Sequence, residues 1–161
     1  MNQKNIIAKE AVVNEIYELA SENTSVIVFE YHGLGVAKLM ELRRALRAEG
    51  ASMAVYKNSL VERAAEKLGK PELNEFLTGP NAFLFSKDLT SGAKIITKFA
   101  RFNDKVEVKG GLFEGRVVGA DQVKVISKLP NRDGMISMFL SVLNAPIQKF
   151  AATVKAVAEK E

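Results

Sequence analysis

The sequence offers few residues that could carry covalent chemistry. His32 is the only histidine and there is no cysteine, so a Cys–His pair and thiol chemistry are excluded. His32 follows a predicted strand beside glycines, where catalytic residues are often found, but no serine or acidic motif accompanies it. The sequence contains no GxxxxGK[ST] phosphate loop, no HExxH pair and no cluster with metal-ligand spacing. We therefore expect no catalytic site, no metal and no cofactor.

The turn after His32 resembles half of a dinucleotide-binding loop. Gly33 and Gly35 have the spacing of the first two glycines of GxGxxG, but Lys38 occupies the position of the third. This partial match leaves a small nucleotide-binding α/β enzyme as an alternative function. A screen for nucleotide binding and turnover would distinguish it from a binding protein.

Positive charge is concentrated between Val36 and Lys70. The 161-residue chain has 23 basic and 19 acidic residues, a formal charge of +4. This window holds eight basic and four acidic residues, so the rest of the chain has 15 of each. Such a window is where a polyanion would be expected to bind. The alternative is that these cations form an ordinary solvated surface.

Two groups within this window have residue types suited to nucleic acid. Lys57-Asn58-Ser59 stands directly before a predicted helix, whose first backbone N–H groups can hold a phosphate. RNA is favoured over duplex DNA if Tyr31 and His32 stack on unpaired bases beside the patch. Three arginines lie within about one turn of another predicted helix: Arg43, Arg44 and Arg47.

The C-terminal stretch from Asp133 to Glu161 carries a long apolar surface. No charged residue occurs between Gly134 and Gln148. The stretch also matches itself after a shift of 11 residues, which is about three helical turns. Seven apolar residues recur at steps of three or four, as on one face of a helix: Ile136, Phe139, Leu143, Ile147, Phe150, Val154 and Val157.

An apolar helical face of this length requires a cover. Most terminal helices of this kind fold back and complete the core of their own domain. The 11-residue repeat instead favours two similar blocks, about 16 Å apart, that each bind a partner by the helix-in-groove mode. Pro146 removes a backbone N–H and crowds the preceding turn, so a kink is predicted between the blocks.

A membrane partner is not expected. The uncharged run is about 15 residues long and contains Ser137, Ser141, Asn144 and Pro146, whereas a spanning helix needs about 20 apolar residues. A membrane-surface helix is a further alternative, but the stripe has no basic residue before Lys149. The first residues lack the apolar core of a signal peptide, and the absence of cysteine fits a reducing cytoplasm.

The elements that position these residues alternate between strands and helices, which predicts an α/β (α+β) fold. We expect a small central sheet of three or four strands covered by helices, followed by a long, mobile C-terminal α-helix kinked near Pro146. Strands are predicted from short β-branched and aromatic runs at 25–31, 52–56, 81–86, 106–113 and 116–118. Helices are predicted from apolar periodicity and from their end signals at 5–20, 36–49, 60–68, 71–77, 91–102 and 122–129.

Several local features are predicted with these elements. Gly110-Gly111 indicates a bulge or a close backbone approach within a strand.

Pro130-Asn131 separates residues 1–130, the expected RNA-binding part, from residues 131–161, the expected docking helix. The first helix should bury Val13, Ile16, Tyr17 and Ala20. Five residues are predicted as alternative or single helix N-caps: Asn58 or Ser59, Asp88 or Thr90, and Asp133.

Six short runs occur in the order and spacing of a known family: Tyr31–Leu34 (YHGL), Glu41–Arg44 (ELRR), Val55–Leu60 (VYKNSL), Thr78–Pro80 (TGP), Val108–Gly111 (VKGG) and Lys128–Pro130 (KLP). Over essentially its whole length the chain resembles the bacterial ribosomal stalk-base family, large-subunit protein L-ten. The resemblance implies a scaffold without enzymatic activity, located in the cytoplasmic ribosome.

The resemblance also implies partners for both parts of the chain. The N-terminal domain would bind large-subunit ribosomal RNA beside protein L-eleven. The C-terminal helix would carry two dimers of the acidic stalk protein L-seven/twelve, which recruit translational GTPases. Relatives also repress their own operon through its messenger RNA.

The implied RNA-binding residues follow the family motifs. Many relatives have arginine at the position of His32, so stacking or hydrogen bonding must replace a charge contact there. The familiar Lys-Asn-Thr is Lys57-Asn58-Ser59 here, which retains the hydroxyl group. With Arg47 added from the basic patch, the set is His32, Gly33, Leu34, Arg43, Arg44, Arg47, Lys57, Asn58 and Ser59.

Overall fold

The computed structural model of the protein describes residues 3–103 and 105–158. The chain divides into two compact units, the first ending at Lys128 and the second beginning at Leu129. The first unit contains α1 (Gln3–Glu22), β1 (Ser25–Glu30), α2 (Val36–Ala48), β2 (Ala51–Ala54), α3 (Asn58–Lys67), a 3-10 helix (Pro71–Phe76), β3 (Asn81–Ser86), α4 (Ser91–Phe102), β4 (Glu107–Phe113), β5 (Arg116–Gly119) and α5 (Ala120–Lys128).

The strands form one antiparallel sheet in the order β2-β3-β1-β4-β5. All five segments predicted as strands join the sheet, including the short ones at 51–54 and 116–119, so the sheet is larger than the expected three or four strands. These two edge strands have four residues each. The predicted fold class, a small sheet covered by helices with a C-terminal helix, is confirmed.

Helices cover both faces of the sheet. Successive side chains of β1 point to opposite faces, and those on each face are buried in an apolar cluster. Ile27 and Phe29 are fully buried with residues of α2, α4 and α5. Val26 and Val28 face the opposite cluster, formed with α1, α3 and the 3-10 helix. A strand buried on both faces reads as a continuous hydrophobic run, and SVIVF is such a run.

The glycine pair of β4 allows two close backbone approaches. A Cβ atom on Gly111 would lie 2.3 Å from the carbonyl oxygen of Val26, and one on Gly110 would lie 2.6 Å from that of Val118. The pairing of β4 with β1 also shifts by one residue, which leaves Lys109 as the extra residue of a bulge. The close approach predicted for Gly110-Gly111 is therefore confirmed, and the bulge of this strand lies at the residue before the pair.

The predicted N-cap of α4, Asp88 or Thr90, is confirmed as Thr90, whereas the prediction of Asn58 or Ser59 for α3 is wrong. The N-cap of α3 is Lys57, and that of α4 is Thr90, neither with a capping side-chain hydrogen bond in the described structure. Asn58 instead bonds across to another loop, and Asp88 accepts a hydrogen bond from Ser91. These side chains have tertiary or neighbouring partners that compete with capping.

The buried face of the first helix and the length of the second strand differ from the prediction. Tyr17 is 40% exposed, because it lies beside rather than on the buried face that Val13 and Ile16 define. β2 ends at Ala54, where its pairing with β3 ends, rather than at Tyr56. The Tyr56 ring packs on Phe83 and Phe85 at centroid distances of 6.4 and 6.5 Å.

The second unit is dominated by one helix, α6 (Arg132–Ala158), of 27 residues. At 1.5 Å per residue it is about 40 Å long. It begins before Asp133, so this residue lies in the first turn and is not the N-cap. The helix runs through Pro146, and the kink and the mobility stay predictions. No helix within residues 3–103 and 105–158 is long and apolar enough to cross a membrane.

Candidate nucleic-acid interface

Four loops meet at one end of the sheet, where β1 and β2 finish and β3 and β4 begin. The pairing of Glu30 with both Asn81 and Glu107 defines this loop end. The turn 32–35 follows β1, and the segment 55–57 follows β2. The antiparallel topology therefore brings together two predicted RNA-binding motifs that lie about 25 residues apart in the sequence.

The three residues of the first motif have different local roles. The side chain of His32 is exposed. Gly33 has φ +74°, a conformation that favours glycine, and Leu34 packs on the core cluster below the turn. The backbone N–H of Leu34 donates to the carbonyl oxygen of Tyr31 at 3.1 Å and closes the turn. His32 is thus the side chain of this motif that RNA could reach.

The second motif forms the start of α3. The carbonyl oxygen of Lys57 accepts hydrogen bonds from the N–H groups of Leu60 and Val61, at 2.9 and 3.3 Å. The side chains of Lys57 and Ser59 are exposed. The start of a helix leaves its first N–H groups without intrahelical partners and favours anions. Lys57 adds a cation at this position.

Asn58 fixes a neighbouring loop. Its side-chain amide donates to the carbonyl oxygens of Leu77 and Gly79, at 2.8 and 2.9 Å. Lys109 donates to the carbonyl oxygen of Thr78 in the same loop. Because both amide hydrogens of Asn58 bond to carbonyl oxygens of the segment 77–79, Asn58 positions the Thr78–Pro80 loop. Its direct contact with RNA stays a prediction.

The arginines of α2 lie away from the loop end. α2 starts beside the turn and runs back along the sheet, so Arg47 lies about 16 Å along the helix axis from Val36. Arg44 and Arg47 are exposed, whereas Arg43 is partly buried, with a guanidinium nitrogen 3.7 Å from the sulfur of Met40. The structure therefore places these arginines in a group separate from His32 and Lys57.

The sequence reading missed a basic surface on α4. This helix contains Lys94, Lys98 and Arg101 but no acidic residue. It ends at Phe102, whose side chain is 76% exposed. The signal was present in the run Lys98-Phe-Ala-Arg-Phe102, in which aromatic and basic residues alternate. The net charge outside residues 36–70 does not show this basic surface, because acidic residues elsewhere balance the cations of α4.

The end of α4 borders the first predicted motif. Residues of the turn, of α2 and of the segment after α4 line a recess of about 360 Å³: Gly33, Leu34, Gly35, Ala37, Lys38, Phe102, Asn103 and Lys105. The ammonium of Lys38 donates to Oδ1 of Asn103 at 2.5 Å, which ties α2 to this segment. The side chain of Lys105 runs past Gly33. The recess therefore extends the loop end with two lysines.

Positive charge predominates among the described side chains around this recess. Glu30 is paired with Lys109, so its charge is compensated. Lys105 is exposed in the recess, and Lys57 and Arg101 are exposed elsewhere at the loop end, against the exposed carboxylate of Glu107. A phosphate backbone would therefore meet net positive charge at the loop end.

One ionisable group beside this surface has a shifted pKa. Burial, followed by a hydrogen bond to Glu15 and the charge of that carboxylate, raises the pKa of Tyr56 to about 12. The phenol donates to Oε1 of Glu15 at 3.1 Å. Within the described parts of the chain, no three His, Cys, Asp or Glu side chains are arranged to hold a metal ion.

The second predicted surface lies on α6. Phe139 is 63% exposed and Phe150 is 71% exposed, and the other predicted stripe residues from Ile136 to Val154 are also exposed. The side chain of Val157 lies outside the described residues. The hydroxyls of Ser141 and Thr153 donate to carbonyl oxygens within the helix. Polar side chains thus bond to their own backbone, and the face remains apolar.

Comparison with known proteins covers both units. The family model described as Ribosomal protein L10 matches residues 4–101, and the model described as Ribosomal protein uL10 C-terminal region matches residues 129–161. The chain is 46% identical over 157 residues to proteins named Large ribosomal subunit protein uL10 from Staphylococcus aureus strains JH9 and Newman. Each alignment covers 97% of this chain and 95% of the relative.

Proposed function

Because the chain belongs to the ribosomal protein L10 family, we propose that it anchors the stalk of the large ribosomal subunit. Membership of this family gives the chain a structural role in the large subunit of the cytoplasmic ribosome. It also rules out the alternative of a small nucleotide-binding enzyme, since the family is not enzymatic. In the proposal, residues 1–130 bind large-subunit ribosomal RNA and residues 131–161 carry the stalk protein.

The loop end is the observation that supports RNA binding. It brings the exposed side chains of His32 and Lys57 to one end of the sheet, beside the start of α3. RNA that docks there would lose affinity as salt rises, with a slope of about 0.9 per neutralised phosphate in duplex and about 0.7 in single strands. Arg43, Arg44 and Arg47 would contact a second segment of the RNA from α2.

The exposed face of α6 supports the stalk contact. One helix cannot bury its own apolar stripe, and the binding of amphipathic helices in grooves uses this spacing of side chains. Two blocks, centred on Phe139 and Phe150, would bind two dimers of the acidic stalk protein L-seven/twelve. Their contact would be salt-tolerant because it is mainly apolar. The stalk dimers would then recruit translational GTPases.

Two further partners belong to this proposal. Protein L-eleven would lie beside the chain at the stalk base, and the messenger RNA of its own operon would compete for the RNA-binding surface. No membrane partner is proposed. Both additions are supported by the family resemblance, and competition between the two RNAs would test the second.

Charge reversal separates the two halves of the proposal. Lys57→Glu combined with Arg43→Glu should abolish binding to large-subunit ribosomal RNA, while the complex with the stalk protein keeps its mass. Lys87→Glu, which reverses one charge where the double variant reverses two, is the control, because Lys87 is exposed after β3 at the opposite end of the sheet. Unchanged RNA affinity in the double variant would show that the RNA-binding face lies elsewhere.

A further inference from the structure

Phe102 has an unusual position for an exposed aromatic residue. Its side chain is 76% exposed at the last position of α4. A single exposed apolar residue is ordinary on a protein surface, so exposure alone carries no conclusion. The surroundings of Phe102 are what distinguish it.

Cations lie on two sides of the Phe102 ring. On one side, the recess contains Lys38 and Lys105 together with the turn that follows His32. On the other side, a second shallow depression between α4 and α5 is lined by Phe102 and by basic side chains of both helices. These basic residues are Lys94, Lys98, Arg101 and Lys128.

The third side carries carboxylates. A groove between α2 and α4 also reaches Phe102, and it contains Glu41 and Glu49 against one cation, Lys98. These carboxylates would repel a phosphate backbone, so they restrict a polyanion to the two basic sides. The ring is then located between two places where phosphates could lie.

We propose that Phe102 stacks on an unpaired base of the large-subunit ribosomal RNA. Lys38 and Lys105 neutralise phosphates on one side of that base, and Arg101 neutralises a phosphate on the other side. Aromatic rings beside cations are the usual means by which proteins hold unpaired nucleotides. The proposal rests on the proposed RNA-binding function and adds a contact from α4 to it.

RNA fits these features better than a protein neighbour does. The centre of a protein interface is generally depleted of lysine, because each buried ammonium must be desolvated. The ring of Phe102 is instead bordered by several lysines and an arginine. A recess of about 360 Å³ falls within the range of about 300 to 1,000 Å³ found for ligand sites, which is sufficient for a base.

The test compares Phe102→Ala with Phe102→Tyr in the full chain, with protein-free large-subunit ribosomal RNA as the probe. Phe102→Ala should weaken binding by about 5- to 150-fold, the effect of one lost base stack, with an unchanged dependence on salt. Phe102→Tyr should keep most of the affinity. Lys105→Gln should instead lower the salt slope by about one or slightly less.

Val125→Ala is the control, because Val125 is 60% exposed on α5 and should not affect RNA binding. Equal unfolding midpoints for Phe102→Ala and the wild type would establish that the fold is retained. If the wild type binds the RNA and Phe102→Ala binds equally well, the stacking contact is refuted while the proposed function stands. If the wild type does not bind, both are refuted. A loss seen with ribosomal particles but not with free RNA would assign Phe102 to a protein contact and refute stacking.

Discussion

The ammonium nitrogen of Lys109 lies 2.6 Å from Oε2 of Glu30, and both side chains are largely shielded from water, with exposures of 16% and 27%. Lys109 is the extra residue of the bulge in β4, and it also donates to the carbonyl oxygen of Thr78. The bulge therefore places the ammonium of Lys109 within reach of both the Glu30 carboxylate and the Thr78 carbonyl oxygen. This contact joins β1, β4 and the Thr78–Pro80 loop.

Removal of this cation should destabilise the fold. Lys109→Met leaves the carboxylate of Glu30 and the carbonyl of Thr78 without their partner, so we expect the free energy of unfolding to fall by about 1–3 kcal/mol. Urea denaturation would measure it. The double variant with Glu30→Gln should recover part of the loss, since no unpaired charge remains. Lys124→Met is the control, because its pair with Asp121 is exposed and should contribute little.

Two glycine substitutions should differ sharply in their effect. Gly111→Ala would place a methyl group 2.3 Å from the carbonyl oxygen of Val26, so we expect a loss of about 3 kcal/mol or more, or failure to fold. Gly119→Ala, in the paired strand β5, meets nothing within 4 Å and should change stability by less than about 1 kcal/mol. Denaturation midpoints of the two variants would test this, and similar midpoints would argue against the close approach of β4 and β1.

We expect the fold to lose stability at high pH as Tyr56 ionises. Its folded-state pKa of about 12 lies above the ordinary value of 10.0, so the neutral phenol is favoured in the fold. Its contribution to stability is therefore fully present below about pH 10 and is lost as pH rises from about 10 to about 12. Tyrosinate absorbance would follow the titration, because the chain has no tryptophan, and a Tyr56 variant would separate its signal from those of the other two tyrosines.

Variants would assign this late titration. Tyr56→Phe should remove it, whereas Glu15→Gln should move it to lower pH by removing the carboxylate that accepts the phenol hydrogen bond. Burial would still keep the pKa above its ordinary value in the second variant. A late transition that survives Tyr56→Phe would belong to another tyrosine.

Single substitutions on α6 should remove stalk dimers one at a time. We expect Phe139→Ala to weaken one dimer site and Phe150→Ala the other, by about 30-fold or more if each ring anchors its block. Native mass measurement of the complex would count the dimers. Met138→Ala is the control, because Met138 is 59% exposed but points about 140° away from the stripe. A count other than two in the wild type, or the loss of both dimers from one substitution, would refute the two-block assignment.

Local sequence signals were sufficient for elements whose limits depend on the chain itself. β3 at Asn81–Ser86 and α4 at Ser91–Phe102 have the predicted limits. Gly50 and Gly69 follow the ends of α2 and α3 with φ near +70°, as a helix end requires. The close approach at Gly111 was also predictable, since glycine within a strand has few other uses.

Features that depend on distant residues could not be predicted in this way. Asn58 has the residue type of an N-cap, but its amide reaches carbonyl oxygens about 20 residues later in the chain. The sequence gives no sign that this loop lies within reach. The run Lys98–Phe102 carries a local basic and aromatic signal, but only the topology places the end of α4 beside the turn after β1 and so makes Phe102 a candidate for RNA binding.

The two short edges of the sheet have a consequence for the chain before it is assembled into a ribosome. Exposed strand edges are templates on which other molecules can add β-strands and start fibrils. β2 and β5 offer four residues each, which limits such growth. The large exposed apolar surface lies on α6, whose backbone groups are already hydrogen-bonded within the helix. Self-association of the free protein should therefore proceed through helices, which is reversible, rather than through amyloid.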